Sequence, residues 1–477
     1  MKLKMKNISV RLVLFLIWFP LFKSNGQGVP FPLDSMLSKS LDSMQVVLNV
    51  KSLSAAMQFP DTAIWARATG ISSLVPLDSV TTDDVYLIGS ITKTMTAACV
   101  MQLAEQGILN LDDSLYQWID TIQYINPNIT IRQLLRHESG LYDVLSNPAC
   151  QPALLGDQDS IWDPIDLIQT FIAPQQFNPG AAWSYSNTNY FLLAQIIREA
   201  TGNYFYQELR NRFFAPLAMN TIATPSFETL TSPVAHVWMD LNGDGINDDA
   251  HNFYINYLSL NSAAGAAGGY FATPTDVTRW MRTYMRGDIL SAATMSEAKT
   301  TVAAPGLPST TYGLGLMRKF FAGYEGFGHG GDLAYAASSW YFPLRDLSIT
   351  VFTNDSKNNS WTLVPVITVL LKTYNNYLAT LTGTSELANN QLELQTFPIP
   401  FVDDLQVRFA GLENYKQFEI VLCNTLGQKV VAKQFSNPGQ SENILSLSGL
   451  SHIPGGIYLV SLYADGNPVA TKRVVRL

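Results

Sequence analysis

Ser90 and Lys93, in Ile88-Gly89-Ser90-Ile91-Thr92-Lys93, are residues whose types and spacing could do chemistry. A short β-branched and aromatic run, Val85 to Ile88, meets a glycine, and Ser90 then opens a segment with apolar residues at helical spacing. The first turn of a helix has backbone N–H groups without intrahelical partners, and the helix dipole there favours negative charge. Lys93 comes three positions after Ser90, so both side chains leave one face of that turn. A serine hydroxyl is a poor nucleophile until its proton is removed, and a lysine with a lowered pKa can remove it. The pair is a candidate nucleophile and activator, beside backbone donors that could hold an oxyanion. Spacing alone does not single it out. Ser296-Glu297-Ala298-Lys299 repeats it without supporting context, and a helix N-cap followed by a solvated lysine has the same form.

Acyl transfer also needs a proton carrier for the leaving group. Tyr185-Ser186-Asn187 supplies a phenol and an amide two apart on one side of a loop. Its Tyr-x-Asn pattern recurs at Tyr124, Tyr254 and Tyr374, so it too gains meaning only in company. Gly328-His329-Gly330-Gly331-Asp332 adds an imidazole and a backbone that other groups can approach closely, on an expected strand edge.

The elements that must position these residues can be read in order. Leu53 to Phe59 and Ala63 to Thr69 flank Pro60-Asp61-Thr62 as a hairpin. The Ser90 helix runs to about Gln106 and stops at Gly107; a second starts at Thr130, and a third spans Phe191 to about Thr201. Residues 203–220 read as helical, Gly265 to Gly269 as a flexible small-residue stretch, and Thr273-Pro274 as a helix start. Tyr312 to Leu316, Trp340 to Pro343 and Leu347 to Thr353 read as strands alternating with Gly-rich turns, and a last helix covers about 360–375. The expected fold class is α/β (α+β): an antiparallel sheet flanked by helices with a helical subdomain, plus a small C-terminal β-sandwich.

GSITKT, LLRHESGL, PGAAWSYSNTNYFLLAQIIREATG, AAGGYFATPTDVTRW, YGLGL and FGHGGD stand in this order. The ordered set resembles the serine β-lactamase-like family over roughly residues 30–375. That family comprises class C β-lactamases, D-alanyl-D-alanine carboxypeptidases, family VIII esterases and some D-amino-acid peptidases. The resemblance implies Ser90 as nucleophile, Lys93 as its partner in proton transfer, Tyr185 as general base and acid, and Asn187 as the motif amide. It also implies an oxyanion hole from the backbone N–H groups of Ser90 and Asp332, with Gly330 and Gly331 on the substrate strand. His329 stands where many members have lysine, which points toward the peptidase and esterase branches. Tyr335 stands where many have glycine, so an altered pocket rim is expected. Without Ser-Asp-Asn, the class A arrangement finds no support.

The resemblance therefore implies a secreted serine hydrolase acting through an acyl-Ser90 intermediate on a D-Ala-D-Ala-type peptide or an ester. The alternative within the family is a class C-like β-lactamase. A non-catalytic surface binder of peptidoglycan or glycan is the rival of another class; loss of Ser90, Lys93 or Tyr185 would favour it, and all are present. In this reading His329, with an ordinary pKa of about 6.5, imposes the acid limb of the pH–rate profile.

Past about residue 376 the texture changes. Residues 376–395 read as a linker, and 396–477 carry short alternating runs that suit a small sandwich. Asn424 to Val430, Leu450 to Leu459 and Lys472 to Val475 resemble the sorting domain of type IX secretion. That resemblance implies the secretion machinery as a partner and a secreted or cell-surface location. Residues 1–26 read as a signal peptide: Lys2, Lys4, Lys6 and Arg11 precede an apolar core from Val13 to Phe22, and Ser24-Asn25-Gly26 suits cleavage. The hydrolase region is then 27–375, and no later run is long enough to span a membrane. Removing 1–26 takes five basic residues and no acidic ones, moving the formal charge from −8 to −13. That balance argues against nucleic acid or an anionic membrane surface as partner.

Three cysteines, Cys99, Cys150 and Cys423, argue against a disulfide framework; Cys99–Cys150 could pair, but Cys99 on an apolar helix reads as a buried thiol. No required cofactor is expected. Asp240, Asn242, Asp244 and Asp248 have the spacing of a calcium loop, although His251 stands where a bidentate glutamate belongs. Asn/Asp/Gly turns give the same string for conformational reasons, so structural calcium is one of two readings. The remaining histidines, including His137, read as structural or solvated.

Overall fold

The computed structural model describes residues 28–250, 257–381, 394–410, 416–424, 429–436 and 442–476. The signal peptide, His251, most of the linker and residues 425–428 of the sorting motif lie outside them. The chain divides at Leu370/Leu371 into two compact units.

The first unit is built on strands β1 (Ser52–Gln58), β2 (Ile64–Leu74), β3 (Leu77–Ser79), β4 (Val302–Ala303), β5 (Thr310–Tyr312), β6 (Met317–Phe321), β7 (Tyr324–Leu333), β8 (Tyr335–Phe342) and β9 (Leu347–Thr353). They form one nine-stranded antiparallel sheet in the order β3-β2-β1-β9-β8-β7-β6-β5-β4. Every residue of β8 and β9 is buried, as continuous apolar runs require when both sheet faces are covered. Helix α1 (Phe31–Leu48) packs on the β1–β2 side. The larger helical part holds α2 (Thr92–Glu105), α3 (Ile131–Arg136), α4 (Thr188–Thr201) and α5 (Leu258–Gly268). Helix α6 (Pro274–Arg286) returns to the sheet, where its Thr278 donates to Ala56 O and accepts, through its carbonyl, from Ser348. Thr273 caps α6 and Pro274 opens it, the start its sequence announced.

Several expectations are corrected. The Gly265–Gly269 stretch is not a flexible connector; it is largely the end of α5, kinked at Gly265 and buried. Small residues there allow α5 to pack closely, and the kink turns carbonyls toward α2. Residues 203–220 are helical only over Phe205–Leu209 and a π-turn at Arg210–Phe214, because Pro216 lacks a donor to continue. Tyr312 to Leu316 is not one strand: β5 ends at Tyr312, and Gly313 N–H to Leu316 O closes a turn into β6. The His-Gly-Gly segment does lie on a strand, as expected. It pairs with β8, and since β6 stops opposite Gly328, its other edge is open from His329 onward. The last helix, α7 (Val364–Leu381), continues past 375 into the expected linker.

Tyr335 does not alter a pocket rim. It is 3% exposed, donates its hydroxyl to Ala235 O, and packs edge-on to Tyr86 and Phe271. All three cysteines are free, Cys99 and Cys150 in the core.

The second unit holds two small sheets: β10 (Gln395–Phe397), β11 (Leu405–Ala410) and β14 (Glu442–Leu447) in one, with β12 (Gln417–Asn424), β13 (Lys429–Ser436), β15 (Gly456–Ala464) and β16 (Asn467–Arg476) in the other. Phe409, Phe418, Ile420, Leu447 and Val460 share its core, the sandwich read from alternation.

Candidate active site

Ser90 lies in a single 3-10 turn, Gly89–Ile91, immediately before α2. Helix α2 is buried almost all round, so it serves as the central post of the helical part. Gly89 has a left-handed φ of 51°, and a Cβ there would come 2.9 Å from the Asp332 nitrogen. On the facing strand a Cβ at Gly331 would fall 1.9 Å from Ile88 O and 3.0 Å from the Ser90 nitrogen. Both glycines are demanded by this contact, which brings the open edge of β7 against the Ser90 turn.

Lys93 is 0% exposed. Its Nζ lies 2.7 Å from Asn187 Oδ1, 2.7 Å from Ala267 O and 3.0 Å from Ser90 Oγ. Burial lowers it from 10.5 to about 7, partly offset by the Asp143 carboxylate. The first two oxygens can only accept, so they take two N–H groups. In the neutral amine the remaining lone pair then faces Ser90, whose O–H can donate to it.

Asn187 immediately precedes α4 and donates Nδ2–H to Asp143 Oδ2 at 2.8 Å. Its two partners fix the amide orientation: oxygen to Lys93, nitrogen to the carboxylate. The Tyr185 ring lies 5.0 Å from Lys93 Nζ and stacks on His137 at 4.2 Å. Burial raises its phenol well above the usual range; the Ser90 hydroxyl opposes this, and Asp143 and Asp332 add to it. Burial thus favours the uncharged form of both Lys93 and Tyr185.

His329 lies beside the site, its ring 6.4 Å from that of Tyr185, but does not have the ordinary pKa expected of it. It is 1% exposed, and burial followed by the Lys93 charge lowers it to about 3. It cannot supply an acid limb near pH 6.5. Its partners define a chain. Ser186 N–H (3.2 Å) and Asn189 Nδ2–H (2.9 Å) both donate to His137 Nδ1, so the His137 proton sits on Nε2 and is donated to Tyr312 Oη at 3.2 Å. Tyr312 O–H then donates to His329 Nε2 at 3.0 Å, and His329 Nδ1–H donates to Gly330 O at 2.6 Å. Every position is satisfied with both imidazoles neutral. The chain links the Tyr185–Asn187 loop to β7.

Sequence reading assembled Ser90, Lys93, Tyr185, Asn187 and the Gly330–Asp332 backbone, which the fold brings together. It missed Asp143, Ala267, Tyr312 and the role of His137 as a hydrogen-bonded core residue. The signal for Asp143 was faint: an acid two residues beyond LLRHESGL. Asp240, Asn242, Asp244 and Asp248 gather elsewhere in an exposed loop, where their oxygens accept from Gly243, Gly245, Asp244, Ile246 and Leu241 N–H groups. The bonds from Asp244 to Asn242 and from Ile246 to Asp244 are Asx-turns.

A β-lactamase family profile matches residues 52–363. The chain belongs to the β-lactamase family. A secretion-system C-terminal sorting domain matches residues 395–476, marking the chain for type IX export to the cell surface or beyond. Among known proteins, penicillin-binding protein 4* of Bacillus subtilis (strain 168) is 25% identical over 272 residues, covering 53% of this chain and 56% of that protein. Penicillin-binding protein 4 of Amycolatopsis lactamdurans is 29% identical over 290 residues, 56% of this chain and 71% of that protein. The chain thus spans little more than half of the Bacillus relative. A solved D-stereospecific amidohydrolase from Streptomyces sp. superposes with a TM-score of 0.61 at 28% identity, covering 69% of this chain and 97% of that one. The family fold expected from the sequence is the fold observed.

Proposed function

We propose that the protein is a serine hydrolase that acylates itself on Ser90, taking an ester or an amide of D-Ala-D-Ala type. The observation that carries this is Lys93, buried without charge compensation at contact distance and bonded to the Ser90 hydroxyl. Ser90 Oγ attacks the substrate carbonyl while its proton passes to neutral Lys93. The oxyanion formed would be held by the Ser90 and Asp332 N–H groups, where the turn meets β7. Tyr185, kept as a phenol, protonates the departing amine or alkoxide and is restored by the proton that Lys93 took, the ammonium lying beside its ring. Water then attacks the acyl-enzyme by the reverse relay, releasing the acid and returning Ser90 to its starting state. Asn187 and Ala267 O orient the lysine and take no proton.

Membership of the family and likeness to a D-stereospecific amidohydrolase support amide chemistry. The test is a hydrolysis panel of nitrocefin, short p-nitrophenyl esters and D-Ala-D-Ala peptides, with Ser90→Ala as control. Ester or peptide turnover that vanishes in Ser90→Ala is expected. Nitrocefin turnover far above the others would make the protein a β-lactamase, and muropeptide binding without any turnover would make it a binder.

A further inference from the structure

Asp332 follows Gly331 on β7, where the strand passes closest to Ser90. Its side chain keeps solvent access. Its carboxylate is held from behind: Ser360 donates its backbone N–H to Oδ1 and its hydroxyl to Oδ2, the latter at 2.8 Å. These bonds fix the carboxylate in place, and neither donor carries a charge that would neutralise it. Among the described residues no lysine or arginine is bonded to it. Its negative charge acts on Tyr185, as does that of Asp143. Tyr185, which serves the leaving group in the reading above, stands beside this same strand with its ring 6.4 Å from that of His329, so the fixed charge borders the leaving-group end of the site.

The basic groups around Ser90 itself are committed elsewhere. Lys93 is buried and committed to Ser90, Asn187 and Ala267. His329 and His137 are buried and neutral in their chain through Tyr312. A ligand entering beside Ser90 therefore meets an anchored anion that none of these three groups offsets.

We propose that Asp332 is a specificity-determining residue that turns away substrates with a carboxylate on the leaving group and favours leaving groups that are neutral or cationic there. Within that reading the ester, and amides whose departing portion is uncharged or amine-bearing, come ahead of a D-Ala-D-Ala peptide, which releases a free C-terminal amino acid. This rests on Ser90 being the acylated residue. Two charges about 7 Å apart in a partly solvated cleft, at an effective dielectric of about 40, shift a rate by about tenfold.

Three acetate esters of a phenol, carrying at the meta position a carboxylate, a carboxamide or an aminomethyl group, form the same acetyl-enzyme and differ only in the leaving group. Acylation rates at pH 8 would be measured on the full chain, each normalised to the ester's hydroxide hydrolysis rate. The carboxamide should react about tenfold faster than the carboxylate, with the aminomethyl ester at least equal to the carboxamide. Asp332→Asn should bring the three toward one value, and so should raising the salt concentration on the unaltered protein, which needs no variant to fold. A carboxylate ester that reacts as fast as the carboxamide in the unaltered protein overturns the proposal alone. So does a preference that neither salt nor Asp332→Asn reduces. Failure of the carboxamide ester to acylate Ser90 overturns the reading of the site itself, and the proposal with it.

Discussion

Lys93 should impose the acid limb of the acylation rate. The fall from 10.5 to about 7 corresponds to about 5 kcal/mol favouring the neutral amine, at ~1.4 kcal/mol for each tenfold change in proton affinity. Its principal cause is burial, and the Asp143 carboxylate opposes it. Only the neutral amine can take the Ser90 proton, so the rate rises with pH. With a midpoint near 7, about a tenth of the enzyme is competent at pH 6 and about nine tenths at pH 8, roughly a tenfold rise. Asp143→Asn removes a charge that favours the ammonium, so the midpoint should move to lower pH. An asparagine oxygen there still accepts from Asn187, which preserves the geometry. The assay is single-turnover acylation by a chromogenic ester between pH 5 and 9. A flat profile, or a midpoint that moves upward in Asp143→Asn, would refute the assignment of the limb to Lys93.

Gly331→Ala should leave a folded protein by circular dichroism and cut acylation by about 100-fold or more, because its Cβ would fall 1.9 Å from Ile88 O and force β7 off Ser90. Full activity in that variant would mean the strand does not border the reacting carbonyl. Tyr312→Phe strands the His137 Nε2–H and the His329 Nε2 in the core; urea unfolding should show a loss of about 2–4 kcal/mol, and a loss under 0.5 kcal/mol would break the proposed chain. The Asp240–Asp248 loop, with its oxygens turned onto its own amides, should keep its melting temperature in EDTA; a fall reversed by calcium would favour the metal reading.

The architecture was legible where pattern and function agree. The Ser90 helix, the Thr130 and Thr273 starts, the 53–69 hairpin and the Leu347–Thr353 strand follow from periodicity and caps. Apart from the helix broken before Pro216, the main errors share one cause, tertiary contact overriding local composition. Gly265–Gly269 reads as flexible because nothing in a string of small residues shows that α2 lies against it, with Lys93 and Thr96 donating to its carbonyls. Tyr335 reads as a rim residue until the rings of Tyr86 and Phe271 are seen around it. His329 occupies a motif position that suggests an ordinary imidazole, and its burial, the Lys93 charge and a bond from Tyr312, 17 residues earlier on another strand, are visible only in the fold. Asp143 and Ala267 could not be found from spacing, since their partner Lys93 is far from both in the chain.

The central claim is a covalent bond to Ser90. A fluorophosphonate or a tagged penicillin would be incubated with the protein, followed by intact mass measurement and peptide mapping. The account predicts one adduct, on the peptide containing Ser90, absent in Ser90→Ala and slowed severely in a folded Lys93→Ala variant. An adduct that persists in Ser90→Ala, or that maps to another residue, would contradict it.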